Sequence, residues 1–195
     1  MYKQTLCFIR RNDELLMLNR ENKPTQGLWN GVGGKIDENE TSMECIIREV
    51  KEETNIDIST YDVIYKGVIS WEVDDSYVGG LYVYLVDIKD NYDYQTPKKT
   101  DEGILDWKKI TWLLEDKNFG VGEMIPYYLP NLLNDEGYYN HFCVIRNKKL
   151  VSYEMKKLEF TNSKWNYYLS QLDAIVEEVK LRVVVATLFY FEIHE

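Results

Sequence analysis

Between Gly33 and Ile56 the chain runs through a Gly-Gly pair, a polar loop and a segment with two opposed helical faces, and no other stretch restricts the fold as tightly. From Thr41 to Thr54 the apolar residues Met43, Ile46, Ile47 and Val50 recur at spacings of three and four, the period of one helix face. Thr41 followed by Glu44 predicts a capping box at its start. An apolar stripe of this kind must be buried against another layer, and the flanking sequence supplies strands. Lys3 to Arg10 and Glu14 to Asn19 read as a hairpin around Arg11-Asn12-Asp13, with a loop from Arg20 to Gly27 and a short strand from Trp29 to Gly33. Beyond the helix, Asp62 to Val73 and Tyr77 to Ile88 are rich in Val, Ile, Tyr and Trp and read as two longer strands. Asn91 to Asp101 reads as a polar loop, Ile104 to Trp107 as a short strand, and Lys109 to Leu114 and Met124 to Leu133 as short helices. Tyr138 to Arg146 and Lys149 to Leu158 pair as a last hairpin around Asn147-Lys148. Strands gathered around one or two helices predict an α+β chain folded as an α/β/α sandwich on a mixed sheet.

The polar face of the helix carries the chemistry. Glu49, Glu52 and Glu53 lie three and four residues apart, so their carboxylates share one face within an arc of roughly 100°. Like charges so placed repel, each costing a helix a few tenths of a kcal/mol unless a cation sits among them. Hard oxygen donors at this density suit Mg²⁺ or Mn²⁺, with water and phosphate oxygens completing the shell. The plain alternative is a solvated acidic face. Against it stand the Gly33-Gly34 turn just before, the acid at Glu40, and Arg48 inside the cluster, whose planar guanidinium suits a brace to Glu40.

Taken as one spaced pattern, these residues resemble the signature of the Nudix family: Gly34, five residues, Glu40, seven residues, Arg48-Glu49, the aliphatic Val50, Lys51, Glu52-Glu53, one residue, and the aliphatic Ile56. Asn55 stands where that family has glycine, and Asn tolerates a left-handed helix end next best. The resemblance implies the family's fold and hydrolysis of a nucleoside diphosphate linked to a further group, by metal-activated water attacking phosphorus. It implies that Glu52, Glu53 and the Gly33 carbonyl bind metal, that Glu49 is a ligand or the general base, and that Gly34, Glu40 and Arg48 are structural. Glu102, in Lys99-Thr-Asp-Glu-Gly103, matches the acid that relatives bring from a later loop, its alternative being a plain surface carboxylate.

The likeness extends to the MutT-like hydrolases of oxidised purine nucleoside triphosphates. Trp29 to Lys35 resembles their base-contacting strand, which makes Asn30 a purine reader, with Lys35 beside it; Thr5 and Arg20 fall at base-side and pocket-rim positions, and Trp71 at a pocket aromatic or in plain core packing. The substrate so implied is 8-oxo-dGTP or a related nucleotide, cut to the monophosphate and pyrophosphate. A nucleotide sugar, a dinucleoside polyphosphate or ADP-ribose keeps the chemistry with another substrate, and a Nudix fold kept as a ligand sensor keeps neither.

Composition narrows the partners. Acidic residues outnumber basic ones by 33 to 23, without a basic run interleaved with aromatics, which argues against a polynucleotide and leaves a small nucleotide. Cys7, Cys45 and Cys143 are odd in number and sit in apolar surroundings, so they read as reduced side chains of a cytoplasmic protein. No stretch approaches the roughly 20 apolar residues of a spanning helix. Residues 1–160 are expected to form the hydrolase domain. In residues 161–195, Trp165, Tyr168, Leu169, Leu172, Ile175, Val176 and Val179 keep helical spacing ahead of Val183 to Phe191. That predicts a helical tail packed on the domain or, as a homodimer, on a second copy, with a membrane-interface segment as the alternative.

Overall fold

The computed structural model describes residues 2–75 and 77–158, so the tail helix expected after residue 160 lies outside the described residues. The chain opens with the expected hairpin, β1 (Thr5–Arg11) and β2 (Glu14–Arg20), followed by β3 (Trp29–Asn30). Helix α1 (Ser42–Thr54) comes next, then the long antiparallel pair β4 (Val63–Val73) and β5 (Tyr77–Asp87). A two-residue strand β6 (Lys98–Lys99) precedes β7 (Gly103–Lys109), α2 (Ile110–Leu113), α3 (Ile125–Asn134) and the closing hairpin of β8 (Tyr139–Arg146) and β9 (Lys149–Lys157).

Among the described residues these strands make one mixed sheet in the order β6-β7-β2-β1-β5-β4-β8-β9, with β3 against β2. β1 runs parallel to β5 and β4 parallel to β8, while the other pairs are antiparallel. The expected loop from Asn91 to Asp101 thus contains a strand: Lys98 and Lys99 lack strand-like side chains, and β6 forms because the turn back into β7 holds their backbone beside Leu105 and Ile104. β7 likewise exceeds the expected four residues, since β2 offers it partners from Glu14 to Arg20.

The middle of the sheet is parted. β1 and β2 pair only from Ile9–Leu16 to Arg11–Glu14; beyond that Asn30 and Trp29 take over the edge of β2, while Val32 and Lys35 bridge to Cys7 and Gln4 on the β1 side. The segment 29–35 is therefore wedged between two strands. The wedge is tight enough to require glycine at Gly33, whose φ is +148° and where a Cβ would lie 2.4 Å from the Thr5 carbonyl oxygen.

Both faces of the sheet are covered. Leu6, Phe8, Leu15, Met17, Ile69, Val83 and Leu85 meet Leu113 of α2 and Ile125, Tyr128, Leu129 and Leu132 of α3 on one side. On the other, Cys7, Ile9, Leu16, Leu18, Tyr84 and Val86 meet Ile46 and Val50 of α1, with Ile56 and Ile58 just beyond it. This is the expected α/β/α sandwich, and the alternation of Leu6 and Phe8 against Cys7 and Ile9 explains why β1 reads as a continuous apolar run. Cys7, Cys45 and Cys143 are free thiols buried in these layers. No helix among the described residues is long and apolar enough to cross a membrane.

Candidate active site

Helix α1 is placed by both of its ends. At the start, the Glu44 amide donates to the Thr41 hydroxyl at 3.1 Å and the Thr41 amide to the Glu44 carboxylate at 2.8 Å, the expected capping box. At the finish, Asn55 adopts the left-handed conformation, φ 65°, and its amide returns to the Lys51 carbonyl. With Ile46 and Val50 buried on the sheet, Arg48, Glu49, Glu52 and Glu53 turn toward the wedge and the loop after it.

Arg48 organises this side. Its Nε and Nη2 donate to the two oxygens of Glu40 at 2.8 and 2.9 Å, a bidentate pair, and Nη2 also reaches the Lys35 carbonyl at 3.1 Å. The pairing with Arg48 holds the Glu40 carboxyl below the usual carboxylate range and raises the guanidinium above its ordinary value. Beyond the expected brace, Arg48 Nη1 donates to Glu49 at 2.9 Å and Glu52 at 3.1 Å, so one guanidinium offsets part of the acidic face. Gly34 lets that face come close: a Cβ there would lie 2.3 Å from the Glu49 carboxyl.

Glu53 accepts from the Gly33 amide at 3.0 Å, which ties the helix to the wedge through the N–H of Gly33. Burial pushes the Glu53 carboxyl up to about 7, with Glu49 and Glu102 raising it further against the lowering effects of the Gly33 amide and Arg20. Glu102 comes from the tip of the β6–β7 turn, which is tied down at several points. The Glu21 amide donates to the Glu102 carbonyl at 2.9 Å, Lys99 pairs with Glu21, and Arg20 lies 3.8 Å from the Glu102 carboxylate.

Glu49, Glu52 and Glu53 face Asp101 and Glu102 across a cavity of about 400 Å³, whose walls also include Thr54, Asn55, Lys98 and Thr100. Among the described residues no three acidic, histidine or cysteine side chains are gathered closely enough to grip one ion, so the acids line the cavity without meeting at a point. In chemistry the lining fits a hard divalent cation. It offers carboxylate oxygens, and the Glu53 carboxyl is raised chiefly by burial and further by the neighbouring Glu49 and Glu102.

The residues expected around a base lie outside the lining of this cavity, at several places along the sheet. Thr5 is buried beneath α1, its hydroxyl 3.3 Å from Cys45 Sγ and 3.5 Å from the Gly34 carbonyl, so it supports the glycine turn. Arg20 belongs with Glu102, and its buried Nε has no partner among the described residues. Lys35 lines a separate cavity of about 610 Å³ with Tyr2, Lys3 and Ile36 to Glu40. Trp29 and Trp71 both pack on the α3 side of the sheet, Trp71 with its ring against Gly79 and Trp29 beneath the Lys108 ammonium, 4.2 Å from the ring centre. Asn30 accepts the Gly31 amide at 2.9 Å through its side-chain oxygen. Sequence reasoning missed Lys98, Thr100 and Asp101 as lining residues. The available signal was the alternation around Lys99, which turns Lys98 and Thr100 to the cavity and Lys99 to Glu21.

The family model for the NUDIX domain matches residues 2–127. The chain belongs to the Nudix family. It is a Nudix hydrolase, an enzyme acting on pyrophosphate bonds. Its relatives include a Nudix hydrolase of Bacillus subtilis, YvcI, 29% identical over 111 residues that cover 56% of this chain and 67% of that one. The oxidized purine nucleoside triphosphate hydrolase of Mus musculus is 23% identical over 159 residues, 80% of this chain and 94% of that one. Among solved structures, the MutT protein of Bacillus halodurans superposes with a TM-score of 0.63 at 22% identity, covering 80% of this chain and 98% of that one, which shows the shared fold. The Nudix match ends in α3, so the β8–β9 hairpin extends the sheet beyond it.

Proposed function

We propose that this Nudix hydrolase cuts a purine nucleoside triphosphate, in the first place an oxidised one such as 8-oxo-dGTP, to the monophosphate and pyrophosphate. The observation that carries the reading is the acidic cavity, in which three carboxylates of α1 face Glu102 across a gap of small-ligand size. Glu52, Glu53 and Glu102, with the Gly33 carbonyl, would hold Mg²⁺ or Mn²⁺, which when bound supplies a Lewis acid at the phosphoryl oxygens and lowers the pKa of water. Glu49, close to Gly34 and steadied by Arg48, is positioned to join them or to take a proton from the attacking water. Arg48 and Glu40 keep the loop and helix in register.

The choice of base rests on Asn30 and on the mouse relative. Asn30 uses its oxygen on Gly31 and leaves its amide NH₂ without a partner among the described residues, ready to donate to a purine acceptor. Trp71, which packs on the α3 side of the sheet, would supply an apolar wall. Residues 1–160 would act as the catalytic domain. The test is a panel of 8-oxo-dGTP, dGTP, ATP, ADP-ribose and a nucleotide sugar with Mg²⁺, products being resolved after reaction in ¹⁸O water. Monophosphate and pyrophosphate from the oxidised triphosphate at the highest kcat/KM is the expected outcome; preference for ADP-ribose or a sugar nucleotide overturns it.

A further inference from the structure

Lys98 is the one basic residue among the described lining residues of the acidic cavity. It is half-buried on β6, its backbone fixed by pairing with Leu105. Although carboxylates of Glu49, Glu52, Glu53, Asp101 and Glu102 line the same cavity, Lys98 forms no ion pair with any of them. Its ammonium rests instead 3.4 Å from the Thr54 carbonyl and 4.9 Å from the centre of the Tyr94 ring. The Thr54 carbonyl also accepts a shorter bond, 2.7 Å, from the Tyr94 hydroxyl, so Lys98 is the longer of two donors at this helix end. Neighbouring cations are spoken for: Lys99 pairs with Glu21, Arg48 with Glu40, Glu49 and Glu52, and Arg20 with Glu102. A strongly hydrated point charge that has no carboxylate partner among the described residues, at the wall of a small polar cavity, suits a ligand that brings its own negative charge.

We propose that Lys98 binds the terminal phosphates of the substrate, and the pyrophosphate released from them, at the wall of the cavity facing the α1 carboxylates. The proposal rests on the reading of the chain as a triphosphate-cleaving enzyme. Lys98 offsets charge on non-bridging oxygens that the surrounding acids would otherwise repel. The contact is present before and after cleavage, so its loss weakens binding more than the chemical step.

The full chain carrying Lys98→Met or Lys98→Arg tests this with two readouts: steady-state hydrolysis of 8-oxo-dGTP in Mg²⁺, and calorimetric titration with inorganic pyrophosphate in Mg²⁺. In Lys98→Met, KM and the pyrophosphate Kd are expected to rise about tenfold, with kcat within about twofold and Tm within about 2 °C of the original. Lys98→Arg should restore both binding constants to within about threefold. Unchanged pyrophosphate affinity in Lys98→Met overturns the proposal, as does an equal loss in both variants with a lowered Tm, the mark of a structural contact at Thr54. If the original chain cuts no triphosphate, yet Lys98→Met alone weakens pyrophosphate binding, Lys98 stands and the triphosphate reading falls. If the original chain binds no pyrophosphate, the proposal falls.

Discussion

Glu53 joins two demands in one side chain: its oxygen must accept the Gly33 amide, and its charge must persist where burial opposes it. Glu53→Gln separates them, because the amide keeps an oxygen for Gly33 and drops the charge. Turnover is expected to fall at least about 100-fold while thermal stability holds or rises, as befits a site held against its own stability. Wild-type kcat in the presence of saturating Mg²⁺ would remove Glu53 from the reacting centre. Arg48→Lys tests the brace, since an ammonium cannot reproduce the fork onto Glu40 while holding Glu49 and Glu52. A loss of about 1–2 kcal/mol in denaturant unfolding is expected, the partial exposure of Arg48 keeping the figure modest. Both residues were legible from spacing alone, for a helix repeats its geometry wherever the pattern occurs.

Among the elements, α1 was the most legible, because capping box, stripe and left-handed end are all local events. Asn55 holds φ 65° with a side chain that glycine lacks, so Asn55→Gly should leave stability unchanged or raise it by up to about 1 kcal/mol, whereas Asn55→Val should cost about 1–2 kcal/mol. Chemical denaturation of the two variants measures the difference, and a destabilised glycine variant would contradict the strained-cap account. β6 was illegible for the opposite reason: it exists only because β7 and the turn present it with partners. On β8, His141 is buried with Nδ1 2.8 Å from the Tyr153 hydroxyl and Nε2 lacking a partner among the described residues, and burial lowers its pKa from 6.5 to about 4. The folded chain therefore resists a proton that the unfolded chain accepts. Stability is full above pH 6.5 and falls as pH drops toward 4, by about 3 kcal/mol from this group. His141→Gln is expected to flatten that part of the stability–pH curve, and an unaltered slope would mean His141 is not its source.

At the scale of the molecule, the wedge at 29–35 and the β6–β7 turn converge on α1 from distant parts of the chain, and the site exists only where they meet. A cation bound there favours the folded state alone. Mg²⁺ at 100 times its dissociation constant should add about 2.7 kcal/mol, a rise in Tm of several degrees that EDTA reverses. No shift up to tens of millimolar would argue against metal binding in this cavity. The net charge of −10 makes the same point from outside, since an anionic substrate approaching a chain so acidic gains from a cation between them.

The sequence by itself determined the helix, its caps, the acid spacing, the Arg48–Glu40 brace and the hairpin that opens the sheet, all of which follow from side-chain period and short-range hydrogen bonding. Only the tertiary structure decided that Thr5 lies beneath α1, that Arg20 sides with Glu102, that Arg48 also holds Glu49 and Glu52, and that Lys98 lines the cavity of the carboxylates without an ion pair to any of them among the described residues. Those facts depend on which strands part and which turns fold back over the helix. Such long-range closures are selected by packing of the whole sheet, and no window of sequence around any one of these residues encodes them.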